Sequence, residues 1–183
     1  MDNDELKPQP ATEHPATISE PELLLAMDRL RSRQKLGLAI VAGTVAAVAG
    51  AAIWAAATIA TGYQIGWLAI IVGVLVGMAV RMAGNGIDRA FGITGAILSL
   101  LGCALGNLLT VAYFAAQAEG VPYFELLTQL DLDTALQLMI ATFNPMDLLF
   151  YLFAVYFGYR YAIREVTEAD LRQALHEGYS PVS

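Results

Sequence analysis

Four long apolar runs alternate with short polar segments along this chain, at residues 36–61, 65–80, 90–116 and 148–159. A helix needs about 20 apolar residues, at about 1.5 Å each, to cross a hydrocarbon core about 30 Å thick. The first run, with 26 residues, can cross with a tilt, and the shorter second and fourth runs gain a turn because Arg81 and Arg160 can extend to the headgroups. A soluble bundle needs a polar face on each helix, but the first run offers only three threonines. The pattern therefore predicts four membrane-spanning helices.

The placement of lysine and arginine predicts the orientation of these helices. Apart from Lys7, every basic residue lies in one of three clusters: residues 29–35 before the first run, Arg81 and Arg89 between the second and third, and residues 160–172 after the fourth. Basic loops remain in the cytoplasm, so all three clusters are expected there. The other two connections contain no Lys or Arg. We therefore expect a multi-pass protein of the cell inner membrane with both termini cytoplasmic.

The same pattern divides the chain into four parts. Residues 1–18 are polar and proline-containing, which predicts a disordered acidic tail. Residues 19–35 predict a cytoplasmic amphipathic helix, and residues 165–183 a cytoplasmic C-terminal helix and tail. Residues 36–164 form the membrane domain, with spans at about 36–61, 64–83, 89–116 and 145–164 and an outer loop at 117–144. The first span is far longer than a signal-peptide core, so we expect an uncleaved anchor.

The amphipathic helix before the first span has a recognisable start and an apolar face. Ser19 and Glu22 have the spacing of a capping box, and Leu23, Met27 and Leu30 then recur on one side. Such a helix either lies on the inner membrane surface, with its arginines near phosphates, or docks on a partner.

Small residues line one face of each central span. They are Gly66, Gly73 and Gly77 in the second span, followed by Arg81, and Gly95, Ser99, Gly102, Gly106 and Thr110 in the third. Membrane helices associate where small residues let their backbones approach. The link contains the turn dipeptide Asn85-Gly86, and Asp88 can cap the third span. We therefore expect two seams facing each other in a tight hairpin; the alternative is that the glycines clear a path for a substrate or ion.

Beyond the third span, residues 122–130 and 134–143 have helical apolar spacing, with Asp133 placed to cap the second segment. They predict two short helices that lie in the outer interface or fold over the mouth of the bundle. Asn144, Pro145 and Asp147 then predict a capped start for the fourth span. Thr167 and Asp170 predict a capped last helix that ends at Gly178. The predicted fold class is an all-α, four-helix transmembrane bundle with a glycine-rich central hairpin and a short helical cap on its outer side.

Composition adds little chemistry to this picture. Hydrophobic residues make up 57% of the chain, and the net charge of −7 is carried mainly by the tail and the outer loop. Cys103 is the sole cysteine, and both histidines lie outside the spans. We therefore expect no catalytic residue, no cofactor site and no metal site. Ser99 and Cys103 share a helix face without a base, so no nucleophile–base pair is expected.

Three residues stand out as candidates for contact with a ligand: Arg81, Asp88 and Asn107. Asn107 is the one strongly polar side chain well inside a span, and it either bridges helices or lines a cavity. Arg81 ends the glycine-rich face and can reach helix-end carbonyls, Asp88 across the turn, or lipid phosphate.

Five segments carry a resemblance to known sequences: GYQIGWLAI at 62–70, residues 72–81, GIDR at 86–89 with FG at 91–92, LGCALGN at 101–107 and PMDLLFY at 145–151. They resemble a group of uncharacterised bacterial four-span integral membrane proteins, over about residues 60–165. The resemblance implies a bacterial inner-membrane location. It implies no activity and no catalytic residue.

Three functions remain open from the sequence. The favoured one is a non-catalytic membrane scaffold or partner-binding component. Its partners would be a bilayer with anionic inner headgroups and a protein partner or second copy of the chain, with no nucleic acid. The second is a small oligomeric transporter or channel with Arg81 and Asn107 along its path. The third is a membrane enzyme that uses the outer carboxylates Asp131, Asp133 and Asp147.

Overall fold

The computed structural model describes residues 18–63 and 65–177, and every regular element in these ranges is a helix. The helices are α1 (Glu20–Ser32), α2 (Leu36–Thr61), α3 (Leu68–Gly84), α4 (Arg89–Glu119), α5 (Tyr123–Gln129), α6 (Leu132–Thr142), α7 (Pro145–Ala162) and α8 (Glu168–Glu177). They form two compact units, one of residues 30–166 and one that joins residues 18–29 to 167–177. The predictions for residues 1–17 and for Gly178 lie outside the described residues.

Length and composition bear out only part of the predicted membrane topology. Among the described helices, α2 and α4 are long and apolar enough to cross a membrane. α6 and α7 together count as a third span only if they are taken as one broken helix, and their axes differ by 110°. α3 is apolar but has 17 residues, or about 26 Å at the usual helical rise. Two or three helices therefore have crossing length, against the four expected.

Four helices of the larger unit, α2, α3, α4 and α7, pack side by side. α3 and α4 occupy its middle, because each contacts the other and both α2 and α7, whereas α2 and α7 make no contact within the described residues. The core between them is built largely from small side chains such as Ala47, Gly73 and Ser99. Large apolar side chains face outward instead, for example Val41 and Val45 of α2.

The two glycine-rich seams do not face each other as the sequence suggested. A Cβ added at Gly73 would lie 2.6 Å from the carbonyl oxygen of Ala154, and one at Gly77 would lie 2.9 Å from that of Gly158, so the seam of α3 packs on α7. The seam of α4 divides between two neighbours. Its first half, Gly95 and Ser99, lies against Gly158 of α7, and its second half, Gly102 and Gly106, lies against Ala47 and Ala51 of α2. Small residues predict close packing, but they do not identify the partner helix.

Helix starts follow the sequence at some sites and depart from it at others. The box at the start of α7 is present: Asn144 Oδ1 accepts from Met146 N–H at 3.0 Å, and Asp147 Oδ2 accepts from Asn144 N–H at 3.0 Å. The predicted cap of the second outer helix is wrong by two residues. α6 is capped by Asp131, which accepts from Thr134 N–H at 2.7 Å, because the helix begins earlier than predicted and places Asp133 in its first turn.

The smaller unit pairs α1 with α8. Ala26 of α1 and Ala174 of α8 are fully buried, and Arg29 donates to the carbonyl oxygens of Ala174 (2.8 Å) and Leu175 (3.2 Å). The last carbonyls of a helix lack intrahelical donors, so a guanidinium is a suitable partner for them. The sequence offered a membrane surface or a partner protein for α1 and did not identify α8. Both predicted capping boxes, Ser19 with Glu22 and Thr167 with Asp170, are present.

Candidate functional site

Two cavities share the lining residue Asn107, in the second half of α4. The first has a volume of about 420 Å³ and is bounded by α2, α4 and α6, including Thr58, Thr110 and Thr142. The second has a volume of about 410 Å³ and is bounded by α4, α6 and α7, including Tyr151. Asn107 belongs to the lining of both cavities and is itself 4% exposed. The sequence left open whether Asn107 bridges helices or lines a cavity, and the structure places it on the wall of two.

The helix α6 covers both cavities because the chain bends sharply before α7. The axes of α6 and α7 differ by 110°, and the capping box of Asn144 and Asp147 fixes the point at which the new helix starts. Alternate faces of α6 then line different cavities. Leu138 and Thr142 contribute to the first, and Leu136, Met139 and Ile140 to the second.

In the part of α4 that precedes Asn107, the helix lies close to α2. Cβ atoms added at Gly102 and Gly106 would come within 3.2 Å of Ala47 and Trp54, respectively. The larger side chains Asn107, Val111 and Phe114 follow along α4 and line the first cavity. The change from glycine to larger residues therefore marks the position where close helix packing ends and open space begins.

Thr58 supplies an unsatisfied polar atom at the first cavity. The residue is 2% exposed, and its Oγ1 has no hydrogen-bond partner among the described residues. Threonines in helices commonly donate to the carbonyl four residues earlier. Thr110 and Thr142, on the same cavity, do so at 2.8 Å each. A buried hydroxyl without a partner costs about 1–3 kcal/mol, so Thr58 is an exception that requires an explanation.

The site contains no formal charge. No Asp, Glu, Lys, Arg or His is among the described residues that line either cavity. The Tyr151 hydroxyl, at the second cavity, is also buried without a hydrogen-bond partner among the described residues. Asp147 is 8% exposed, but its carboxylate is used in the cap of α7. The described residues also contain no group of three or more His, Cys, Asp or Glu side chains suited to a metal.

Asp88 and Arg81 lie elsewhere in the larger unit, near the turn between α3 and α4. Asp88 is the N-cap residue of α4, but its carboxylate makes no capping bond. It accepts from Gln34 Nε2 at 2.8 Å and pairs with Arg31 Nε at 3.3 Å, so the predicted cap is wrong. Two backbone hydrogen bonds also hold this turn. Lys35 N–H donates to the Gly84 carbonyl oxygen (2.9 Å), and Arg164 N–H donates to the Gly86 carbonyl oxygen (2.8 Å).

Arg81 is exposed, and its charge acts on a second polar group, formed by Arg160 and Glu165. Arg160 donates to Glu165 at 2.7 Å, and this hydrogen bond is the main reason that the pKa of Glu165 is lowered. The charge of Arg160 lowers it further, and Arg81 adds a smaller contribution of the same sign. The three candidates from the sequence are therefore not brought together: Asn107 lines the cavities, Asp88 holds the turn, and Arg81 adds positive charge that acts on Glu165.

The sequence did not identify Thr58 or Tyr151 as site residues. Thr58 was visible as one of three threonines in the first apolar run, but nothing in the pattern indicated which threonine faces a cavity. Tyr151 was one of many aromatic residues in the fourth run. Comparison with protein-family models, with curated proteins and with solved structures gave no match.

Proposed function

We propose that this protein is a four-span integral protein of a bacterial inner membrane, with α2, α3, α4 and α7 as its spans and both termini in the cytoplasm. The observation that supports it is the reversed distribution of side-chain size in the bundle. Alanine is the commonest buried residue, although Trp54 and Phe91 are also buried, whereas many large apolar residues such as Val45 (65% exposed) and Leu152 (57%) face outward. In water this surface would be unfavourable, but lipid tails solvate it at no cost, and small interior residues suit membrane helix packing.

The topology is tested by labelling single cysteines with a membrane-impermeant reagent in spheroplasts. In a Cys103→Ala background, cysteines at Gln129 and Gln137 should react, because they lie between α4 and α7 and are exposed. Ser32 and Gln173 are also exposed in the structure, so cysteines there serve as matched controls that should react only after the membrane is opened. The opposite labelling pattern would overturn the proposed orientation.

We further propose that the protein acts without catalysis, as a component that binds a protein partner through α1. Leu23, Leu24 and Leu25 are 40%, 65% and 47% exposed, while Arg29 is turned toward α8. Consecutive residues point about 100° apart on a helix, so these three leucines spread an apolar surface around part of α1, and such a surface on a helix already held by a neighbour is suited to docking against a partner protein. The outer carboxylates, by contrast, have local roles: Asp131 caps α6, Asp133 accepts from Gln137 Nε2 at 2.7 Å, and Asp147 caps α7.

A photoreactive residue in place of Leu24 tests this proposal in cells that make the protein natively. It should give a discrete protein adduct of constant mass, because the exposed leucines would be covered by one partner. The matched control is Leu132, which is 78% exposed and lies on the opposite side of the membrane in the proposed topology. Lipid adducts alone at Leu24, or the same protein adducts at both positions, would contradict the proposal.

A small transporter remains the second candidate, and the cavities at Asn107 are the observation that favours it. In one protomer, a path from these cavities along the bundle axis meets the close contacts of Gly73 and Gly95 with α7. Transport would therefore require a path between protomers. A protein that is monomeric in lipid nanodiscs would exclude this candidate, whereas a symmetric oligomer would support it.

A further inference from the structure

From the two cavities and the unsatisfied Thr58 hydroxyl, we propose that the space beneath α6 binds a neutral amphiphile: a molecule with an uncharged ester or hydroxyl head and short apolar chains. The head occupies the first cavity and the chains extend into the second. This binding site is independent of the partner-binding role proposed for α1.

The residues that line each cavity indicate which part of the ligand it holds. The first contains the polar groups of Thr58, Asn107, Thr110 and Thr142, of which the Thr110 and Thr142 hydroxyls already donate to backbone carbonyls. Thr58 Oγ1 is left as a donor with no partner among the described residues, so the ligand head must offer an acceptor oxygen. The absence of formal charge from the described lining disfavours a charged head, since a buried ion needs a counter-charge.

The second cavity is suited to hydrocarbon. Leu136, Met139, Ile140 and Phe143 line it, with polar atoms only from Asn107 and Tyr151. An apolar space of about 410 Å³ is unfavourable for water, whereas it has the size of ordinary small-molecule sites. Ile140 and Leu136, 74% and 50% exposed, lie at its rim and would face lipid in the proposed topology. A chain can therefore enter from the bilayer without crossing a polar barrier.

The test uses the full-length protein in nanodiscs of fixed phosphatidylcholine content, with sn-1,2-dioctanoylglycerol as the probe. Its matched control is dioctanoyl phosphatidic acid, which has the same chains and adds only a phosphate. Dioctanoylglycerol should raise the melting temperature saturably, and the phosphatidic acid should not, because its charge has no partner in the lining. A shift that rises without saturation, an equal shift with both lipids, or no shift with dioctanoylglycerol would overturn the proposal, the last because water alone would then fill the cavities.

Thr58→Val gives a second, sharper test because valine keeps the shape and removes only the hydroxyl. Without ligand the variant should melt at or above the wild-type temperature, since an unsatisfied buried group is gone. Its affinity for dioctanoylglycerol should fall roughly three- to tenfold, the expected result of losing one hydrogen bond. Thr94→Val is the control, since Thr94 is a threonine of α4 that donates to Ala90 and lines neither cavity. Unchanged affinity in Thr58→Val, or an equal loss in Thr94→Val, would overturn the site.

Discussion

At Gly73 the backbone of α3 leaves no room for a single carbon atom beside α7, whereas at Asn107 the helix α4 borders cavities of about 420 and 410 Å³. These places represent two regions of one bundle: a glycine-packed region of Gly73, Gly77, Gly95 and Gly158, and an open region around Asn107 beneath α6. In the first, backbone touches backbone and the helices are fixed. In the second, larger side chains separate the helices and leave space. The difference indicates that the glycine-packed region supplies a rigid frame and the open region supplies the room for a ligand.

The largest effect is expected from adding one carbon to the glycine-packed region. Gly73→Ala places a Cβ 2.6 Å from the Ala154 carbonyl oxygen, and backbone cannot move aside as a flexible side chain can. The free energy of unfolding should fall by about 1–3 kcal/mol, as for other overpacked interiors. Denaturant titration in mixed micelles measures this change.

Gly37→Ala is the matched control for that substitution. Gly37 also lies in a helix, but an added Cβ would meet no atom within 4 Å. Because alanine loses less backbone entropy than glycine on folding, this variant should be neutral or more stable by about 0.5–1 kcal/mol. Equal losses at Gly37 and Gly73 would show that close packing at Gly73 is not the cause.

A substitution that adds three carbon atoms should be tolerated in the open region, whereas one that adds a single carbon atom should destabilise the glycine-packed region. Ala115 lines the first cavity, so Ala115→Leu fills existing space instead of displacing backbone. The free energy of unfolding should stay unchanged or rise by about 0.5–2 kcal/mol, as for other cavity-filling substitutions. The same titration measures it. A loss as large as that of Gly73→Ala would mean that the open region is also closely packed.

A smaller effect is expected at the turn between α3 and α4. Asp88→Asn and Arg31→Gln should each lower the free energy of unfolding by about 1 kcal/mol or less, because the two side chains are 44% and 59% exposed and solvent screens their attraction. The double variant should lose no more unfolding free energy than the single variant with the larger loss, since both changes break one ion pair.

Arg81→Lys should melt like the wild type, because Asp88 pairs with Arg31. A loss confined to Arg81→Lys would instead favour a specific role for its guanidinium.

The smallest effect is a local pH dependence at the start of α6. Hydrogen bonds from Thr134, chiefly from its side chain and then from its backbone N–H, lower the pKa of Asp131 below the usual 3.8. A carboxyl with a lowered pKa stabilises the folded helix above its ordinary pKa, and this contribution disappears as the pH falls through the lowered value. A nitroxide at Gln137 should therefore become more mobile below about pH 3.8. Asp131→Asn keeps a capping oxygen without a titrating group, so its spectrum should not respond to acid.

Local signals were read well from the sequence because each depends on residues a few positions apart. Helix α2 begins at Leu36 and ends at Thr61, the limits of the first apolar run, and the boxes at Ser19, Asn144 and Thr167 form as their spacing predicts. The cap of α6 was misplaced because Asp131 and Asp133 are both suitable and only the helix start selects between them. Asp88 was misassigned for a different reason: its partners, Arg31 and Gln34, are more than fifty positions away in the chain.

The sequence alone determined that the chain is helical and apolar, where most of its helices begin, and which faces carry small residues, since composition and spacing fix these properties within each helix. The tertiary structure decided which helices meet. The small-residue seam of α3 packs on α7, the seam of α4 packs partly on α7 and partly on α2, and α1 packs on α8. The tertiary structure also decided that Thr58, Asn107 and Tyr151 line two neighbouring cavities that α6 helps to enclose, and that the chain bends by 110° between α6 and α7. A glycine or threonine has the same local propensity whatever it faces, so the partner of each face depends on contacts between distant parts of the chain.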